Sequence, residues 1–139
     1  MATNKYVSAI FDVASEVFGL HTTLSKARQA RKKKVAEFLS ELAQIIEDVS
    51  ASLSQKIYPH GKCQELLTHA DSLEESIGDL IGKKKAASLA LQLREVWEIE
   101  RLHDELGKKT KAARARNLHV LDQAAGLFRA TAAQVRVSP

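Results

Sequence analysis

The sequence predicts an all-α protein, and three observations support this fold class. Apolar residues recur at intervals of three and four along most of the 139 residues, which is the spacing of one face of an α-helix. Glycine and proline are scarce, with six and two residues, whereas a β-sandwich or barrel needs many turns. Aromatic residues make up only 5% of the chain. We therefore expect an antiparallel up-and-down bundle of four long helices with an amphipathic helix at the N-terminus.

The first two predicted helices differ in how their apolar residues are distributed. The first covers residues 4–18, with Asn4 as its N-cap and Gly19 as its stop. The second begins at Thr22 or Thr23 and ends near Ile57, and its middle carries the clearest apolar stripe in the chain. Its first part is much more polar, so we expect that part to project beyond the core or to kink.

Three further helices complete the predicted bundle. The tetrapeptide at residues 58–61 contains a proline and a glycine and is expected to form a turn. Gly82 and Gly107 are expected to close the two helices that follow it. Because the connections are short, consecutive helices should run antiparallel. The three helices are predicted over residues 62–81, 84–106 and 110–135.

Composition limits the class of protein. The single cysteine, Cys63, excludes an intramolecular disulfide and a zinc site built from several cysteines. No apolar run reaches the roughly 18 residues that a membrane-spanning helix needs. We expect one cytoplasmic domain over residues 1–139, which could be the N-terminal domain of a longer protein.

Basic residues are concentrated in three short segments, none of which contains an acidic residue. The segments are residues 26–34, 83–85 and 108–116. In an antiparallel bundle the first two would share one end and produce a concentrated positive field. We call this end the basic end and expect it to bind an anionic partner. Its predicted contact residues are Lys26, Arg28, Arg31, Lys32, Lys33, Lys34, Lys83, Lys84 and Lys85.

No pattern in the chain specifies catalysis or a cofactor. Glu100 and His103 have the Glu-x-x-His spacing of metal sites in helical bundles, but such sites need that pair twice. His69 lacks the residues that usually follow a phosphoacceptor histidine, and Cys63 lies on an apolar stripe with no partner in sequence. Motifs for phosphate binding, zinc hydrolysis or a nucleophile elbow are absent. We therefore expect no catalytic residue, no metal and no cofactor.

The chain begins with an amphipathic segment at residues 6–20, which is followed by Lys26, Arg28 and the basic run 31–34, and then by the helices over 63–106. This order resembles the amino-terminal helical domains of HeLo-like and mixed-lineage-kinase-like cell-death proteins. The resemblance implies a bundle that is fused to sensor or effector domains, that oligomerises and that in some members binds anionic lipid. It is a resemblance of pattern over most of the chain and carries over no functional residue.

The function expected from these features is that of a non-enzymatic interaction or adaptor module in signalling. It would bind a protein partner or a second copy of itself, forming a homo-oligomer through an exposed apolar seam helped by charge. The alternative is binding to an anionic membrane surface through the basic end and the first helix. Nucleic-acid binding ranks third, because no stacking aromatic residues accompany the basic segments.

The first helix is open to two interpretations. It carries more apolar residues than a peripheral helix needs, so it could be a mobile element that binds a partner. It could equally be a fifth core helix. If it binds a partner, its predicted contact residues are Tyr6, Ile10, Phe11, Val17 and Phe18.

Overall fold

Seven α-helices make up most of the computed structural model, which describes residues 4–95 and 98–138 except for the side chains of Glu98 and Glu100. No strand occurs in this described part of the chain, which confirms the all-α prediction. None of the described helices is long and apolar enough to cross a bilayer. The helices are α1 (Lys5–Gly19), α2 (His21–Leu24), α3 (Gln29–Ser54), α4 (His60–Ile81), α5 (Lys83–Arg94), α6 (Glu98–Lys108) and α7 (Lys111–Val137).

Asn4 caps α1 as the sequence predicts. Its side-chain oxygen accepts hydrogen bonds from the backbone N–H groups of Tyr6 at 2.8 Å and Val7 at 3.4 Å. These donors belong to the first turn of the helix and have no acceptor within it. At the other end Gly19 is still helical and Leu20 is the C-cap, so the predicted glycine stop is displaced by one residue.

The second predicted helix is two helices, α2 and α3, separated by residues 25–28. The Ser25 hydroxyl donates a hydrogen bond to the His21 carbonyl at 2.7 Å, and such local bonds compete with helix continuation. Arg28 is extended and precedes α3 as its N-cap. The polar residues 31–34 lie within α3, so the break comes before the basic run and not inside it.

The fourth predicted helix is also interrupted, because α5 ends at Arg94 and α6 begins at Glu98. The carbonyl of Leu93, in the last turn of α5, accepts a hydrogen bond from the buried Tyr6 hydroxyl at 3.0 Å. A side chain of α1 therefore supplies a hydrogen bond to a carbonyl that would have no donor at a helix end. Two further boundaries were predicted wrongly: His60 already begins α4, and Gly107 lies inside α6.

Five helices close a ring around one core, and α1 is one of them. α1 packs against α7 and α5, α5 packs against α4, α4 against α3, and α3 against α7. α1 contributes six buried side chains to this core, and the ring encloses Phe128 of α7 completely. The structure therefore supports the interpretation of the first helix as a core helix.

Contacts between side chains show how neighbouring helices are directed. Arg31 and Asp79 join the start of α3 to the end of α4. Lys32 at the start of α3 donates to the Ser138 carbonyl just after α7, and Ser50 near the end of α3 donates to the Leu118 carbonyl early in α7. Both pairs of helices are antiparallel.

α1 runs parallel to α7. Asn4, just before α1, bonds Asn117 in the first part of α7, and Phe11 further along α1 lines a groove with Val120 further along α7. The four-helix up-and-down bundle stays a prediction, because α1 takes a place in the same ring.

Candidate functional site

The two basic segments that were predicted to share an end lie close together. Residues 29–34 form the beginning of α3, and Lys83–Lys85 form the first turn of α5. Arg31 and Lys83 line one groove that crosses α4. The chain passes from α4 to α5 through the single residue Gly82, whose φ of 98° is rarely adopted by residues with a side chain.

Three of the nine predicted contact residues are engaged within the protein. Arg31 donates two hydrogen bonds to the Asp79 carboxylate, at 3.0 and 2.6 Å, and a third to the Ser76 carbonyl. The aligned guanidinium lowers the pKa of the Asp79 carboxyl. Lys32 is buried, with 3% of its surface exposed, and its ammonium donates to the Ser138 carbonyl. Lys85 lies 3.7 Å from Glu16 of α1.

The other six predicted residues are exposed. They form no ion pair with any residue that the structure describes. Two lie in the segment before α3, two on α3 and two at the start of α5, so three parts of the chain supply positive charge to one end. These six residues, which we call the free cations, are Lys26, Arg28, Lys33, Lys34, Lys83 and Lys84.

Helix geometry adds to the positive potential at this end. α3 begins here with Arg28 as its N-cap, no capping side chain and no acidic residue in its first turn. A helix N-terminus favours negative charge, and a cation there costs a few tenths of a kcal/mol to about 1 kcal/mol. The charges are therefore not placed where they best stabilise the helix. An anion bound here would relieve their repulsion.

Acidic side chains of α4 lie beside the free cations, which the sequence did not reveal. Glu75 lines one groove with Arg31 and Lys34, and lines a second groove with Glu74 and Lys83. The sequence places these carboxylates about 40 residues from the α3 lysines. Only the antiparallel packing of α3 on α4 brings the two signs together. The surface next to the basic end is therefore of mixed charge.

The predicted apolar contact residues of α1 face mainly inward. Tyr6, Ile10 and Val17 are each 1% exposed, so a partner could touch them only if α1 left the ring. Burial also raises the pKa of the Tyr6 hydroxyl far above its usual range. Phe11 and Phe18 are half-buried, and Phe18 stacks on His21 at 5.3 Å between ring centroids.

An exposed apolar seam, through which association was predicted, is not found on the described surface. Its exposed large apolar side chains are Ile57, Leu91 and Val137. They belong to three different parts of the chain, and single exposed apolar residues of this kind are ordinary on a protein surface. Charge is thus the more prominent surface feature.

A buried polar network fixes the start of α1 at the opposite end. The Asn4 backbone N–H donates to the Asn117 side-chain oxygen at 2.8 Å, and the Asn4 side-chain amide donates to Glu105 at 2.8 Å. Asn117 in turn donates to the Ala113 carbonyl. The network ties α1 to α6 and α7. The third basic segment lies nearby, where Arg114 donates to the Leu106 carbonyl.

His69 and His103 make structural contacts, and Cys63 is buried. His103 bonds the Lys56 carbonyl at 3.2 Å and packs edge-on against Tyr58. His69 lies 3.2 Å from Glu41 and stacks on Phe38. Cys63 is 4% exposed, and burial raises the pKa of its thiol. Among described residues no three potential ligands are grouped to hold a metal, and the side chain of Glu100 is outside them.

Comparisons with other proteins give no family for the chain. No protein-family model, no curated protein and no solved structure matches it.

Proposed function

We propose that the protein is a non-enzymatic interaction module that binds an anionic partner through its basic end. The observation that supports this proposal is the convergence of the six free cations at one end of the ring. Their fields add, which attracts and orients an anionic partner. We place the module in cytoplasmic signalling, with a protein as its partner. The four-helix up-and-down arrangement and the relationship to HeLo-like domains are further parts of this proposal.

Retention on immobilised heparin, a polyanion, tests whether the basic end is the binding surface. The variant Lys33→Glu/Lys34→Glu reverses two free cations at that end. The control Lys108→Glu/Lys111→Glu reverses two exposed lysines at the opposite end, so both variants have the same net charge. We expect the first variant to elute at clearly lower salt than the control, since local charge density decides retention. Equal elution of the two variants would contradict the proposal.

The second candidate is an anionic membrane surface. Val137, the most exposed of the large apolar side chains, precedes Ser138, which Lys32 holds at the basic end. Each lysine near such a surface adds about 1 kcal/mol, and an exposed apolar residue can enter the interface. The burial of α1 counts against a larger apolar anchor. Flotation with phosphatidylserine vesicles, but not with phosphatidylcholine vesicles, would favour this candidate.

A further inference from the structure

The surface formed by α3, α4 and α5 carries unpaired charges of both signs. Two carboxylates of α4 are already neutralised, since Arg31 binds Asp79 and Arg94 binds Asp71 at 2.8 Å. Glu74 and Glu75 are exposed and form no ion pair with any described residue. We call these two residues the free carboxylates.

The free carboxylates lie next to free cations. Lys34 of α3 and Lys83 of α5 each line a groove to which Glu75 also contributes. Along α4 the charge changes from negative at residues 71–79 to positive at the turn into α5. Because no ion pair among the described residues neutralises these side chains, free charges remain on both sides of this boundary.

From this boundary we propose that the α3–α4–α5 surface docks on the same surface of a second copy of the chain. A two-fold axis that lies in the plane of the interface, along the boundary, sets the positive half of each copy against the negative half of the other. The free cations of each copy then lie over the free carboxylates of the other. Such a surface is self-complementary, and the assembly closes as a dimer. The inference rests on the proposed function, because it names the anionic partner of the basic end.

Charge complementarity favours a second copy over a uniformly anionic partner. A polyanion or an acidic membrane that covered this surface would approach Glu74 and Glu75 with like charge, which is unfavourable. A second copy presents cations at those positions. The absence of a large apolar patch on the described surface predicts a weak dimer that depends strongly on salt.

Sedimentation equilibrium of two charge-reversed variants tests the dimer. One variant is Glu74→Lys/Glu75→Lys and the other is Lys34→Glu/Lys83→Glu. Each alone places like charges across the two-fold axis, so we expect its dimer dissociation constant to rise at least about tenfold. An equimolar mixture restores opposite charges and should form a heterodimer as readily as the wild-type protein forms its dimer. The control Asp12→Lys/Asp122→Lys changes two exposed carboxylates on α1 and α7 and should dimerise normally.

Two outcomes would overturn the inference: a wild-type protein that is monomeric at low salt, or a mixture of the two reversed variants that stays monomeric. Neither outcome affects the heparin comparison. If the wild-type protein is monomeric but heparin retention still depends on Lys33 and Lys34, the basic end binds a different partner and only the dimer is refuted.

Discussion

At the scale of single residues, Asn4 joins three helices, because it caps α1 and bonds Asn117 of α7 and Glu105 of α6. The cap at Asn4 follows from its position before an apolar periodic segment, and the structure confirms it. Its partner Asn117 is separated from it by 113 residues, a distance at which sequence spacing carries no information. Lys32 was grouped with exposed cations, yet it lies three and seven residues before the buried Val35 and Leu39. That helical spacing was the signal for its burial.

Replacing Asn4 with alanine tests whether the polar network holds α1 in the ring. The change removes the cap and leaves Glu105 without this donor, so we expect a loss of about 2 kcal/mol in the free energy of unfolding. Urea denaturation measures it. Gln123→Ala, an exposed change on α7, is the control and should shift stability by less than about 0.5 kcal/mol. Equal effects of the two substitutions would mean that the network does not stabilise the fold.

At the scale of elements, apolar periodicity located the long helices but not their interruptions. Residues 22–57 and 84–106 were each predicted as a single helix, because periodicity reports which face is buried and not whether the backbone is continuous. At the break before α3 the Ser25 hydroxyl donates a local hydrogen bond to the His21 carbonyl, and at the end of α5 the Leu93 carbonyl accepts one from the Tyr6 hydroxyl. Gly82 was the glycine stop that the structure confirms most clearly, with its positive φ between α4 and α5.

Alanine at two glycines should have effects of opposite sign. An added Cβ meets no atom within 4 Å at either Gly82 or Gly126, so the backbone conformation alone decides whether alanine stabilises or destabilises the fold. At Gly82 the φ of 98° strains an alanine, and we expect a loss of about 1–3 kcal/mol. Gly126 lies inside α7, where alanine should stabilise by about 0.5–1 kcal/mol. Thermal or urea unfolding measures both, and a stabilising Gly82→Ala would contradict the described turn.

At the scale of the whole molecule, antiparallel connectivity predicted that two separated basic segments would share one end. The structure brings Arg31 and Lys83 to one groove. The position of α1 could not be decided from its sequence, because an amphipathic helix has the same apolar pattern whether it packs into the core or binds a separate partner. The ring of five helices removes most of its apolar face from the surface. Charged side chains are therefore the surface feature available for recognition, and unpaired residues of both signs lie near the basic end.

Recognition through charge is tested most sharply by the molar mass of the wild-type protein, measured by light scattering after size exclusion at low salt and at about 1 M salt. At about 1 M salt the Debye length is only about 3 Å, so contacts between exposed charges are largely screened. We predict a mass above that of the 15.3 kDa chain at low salt, which falls to the monomer value at high salt. Association that persists or strengthens at high salt would show an apolar interface and would contradict recognition through charge.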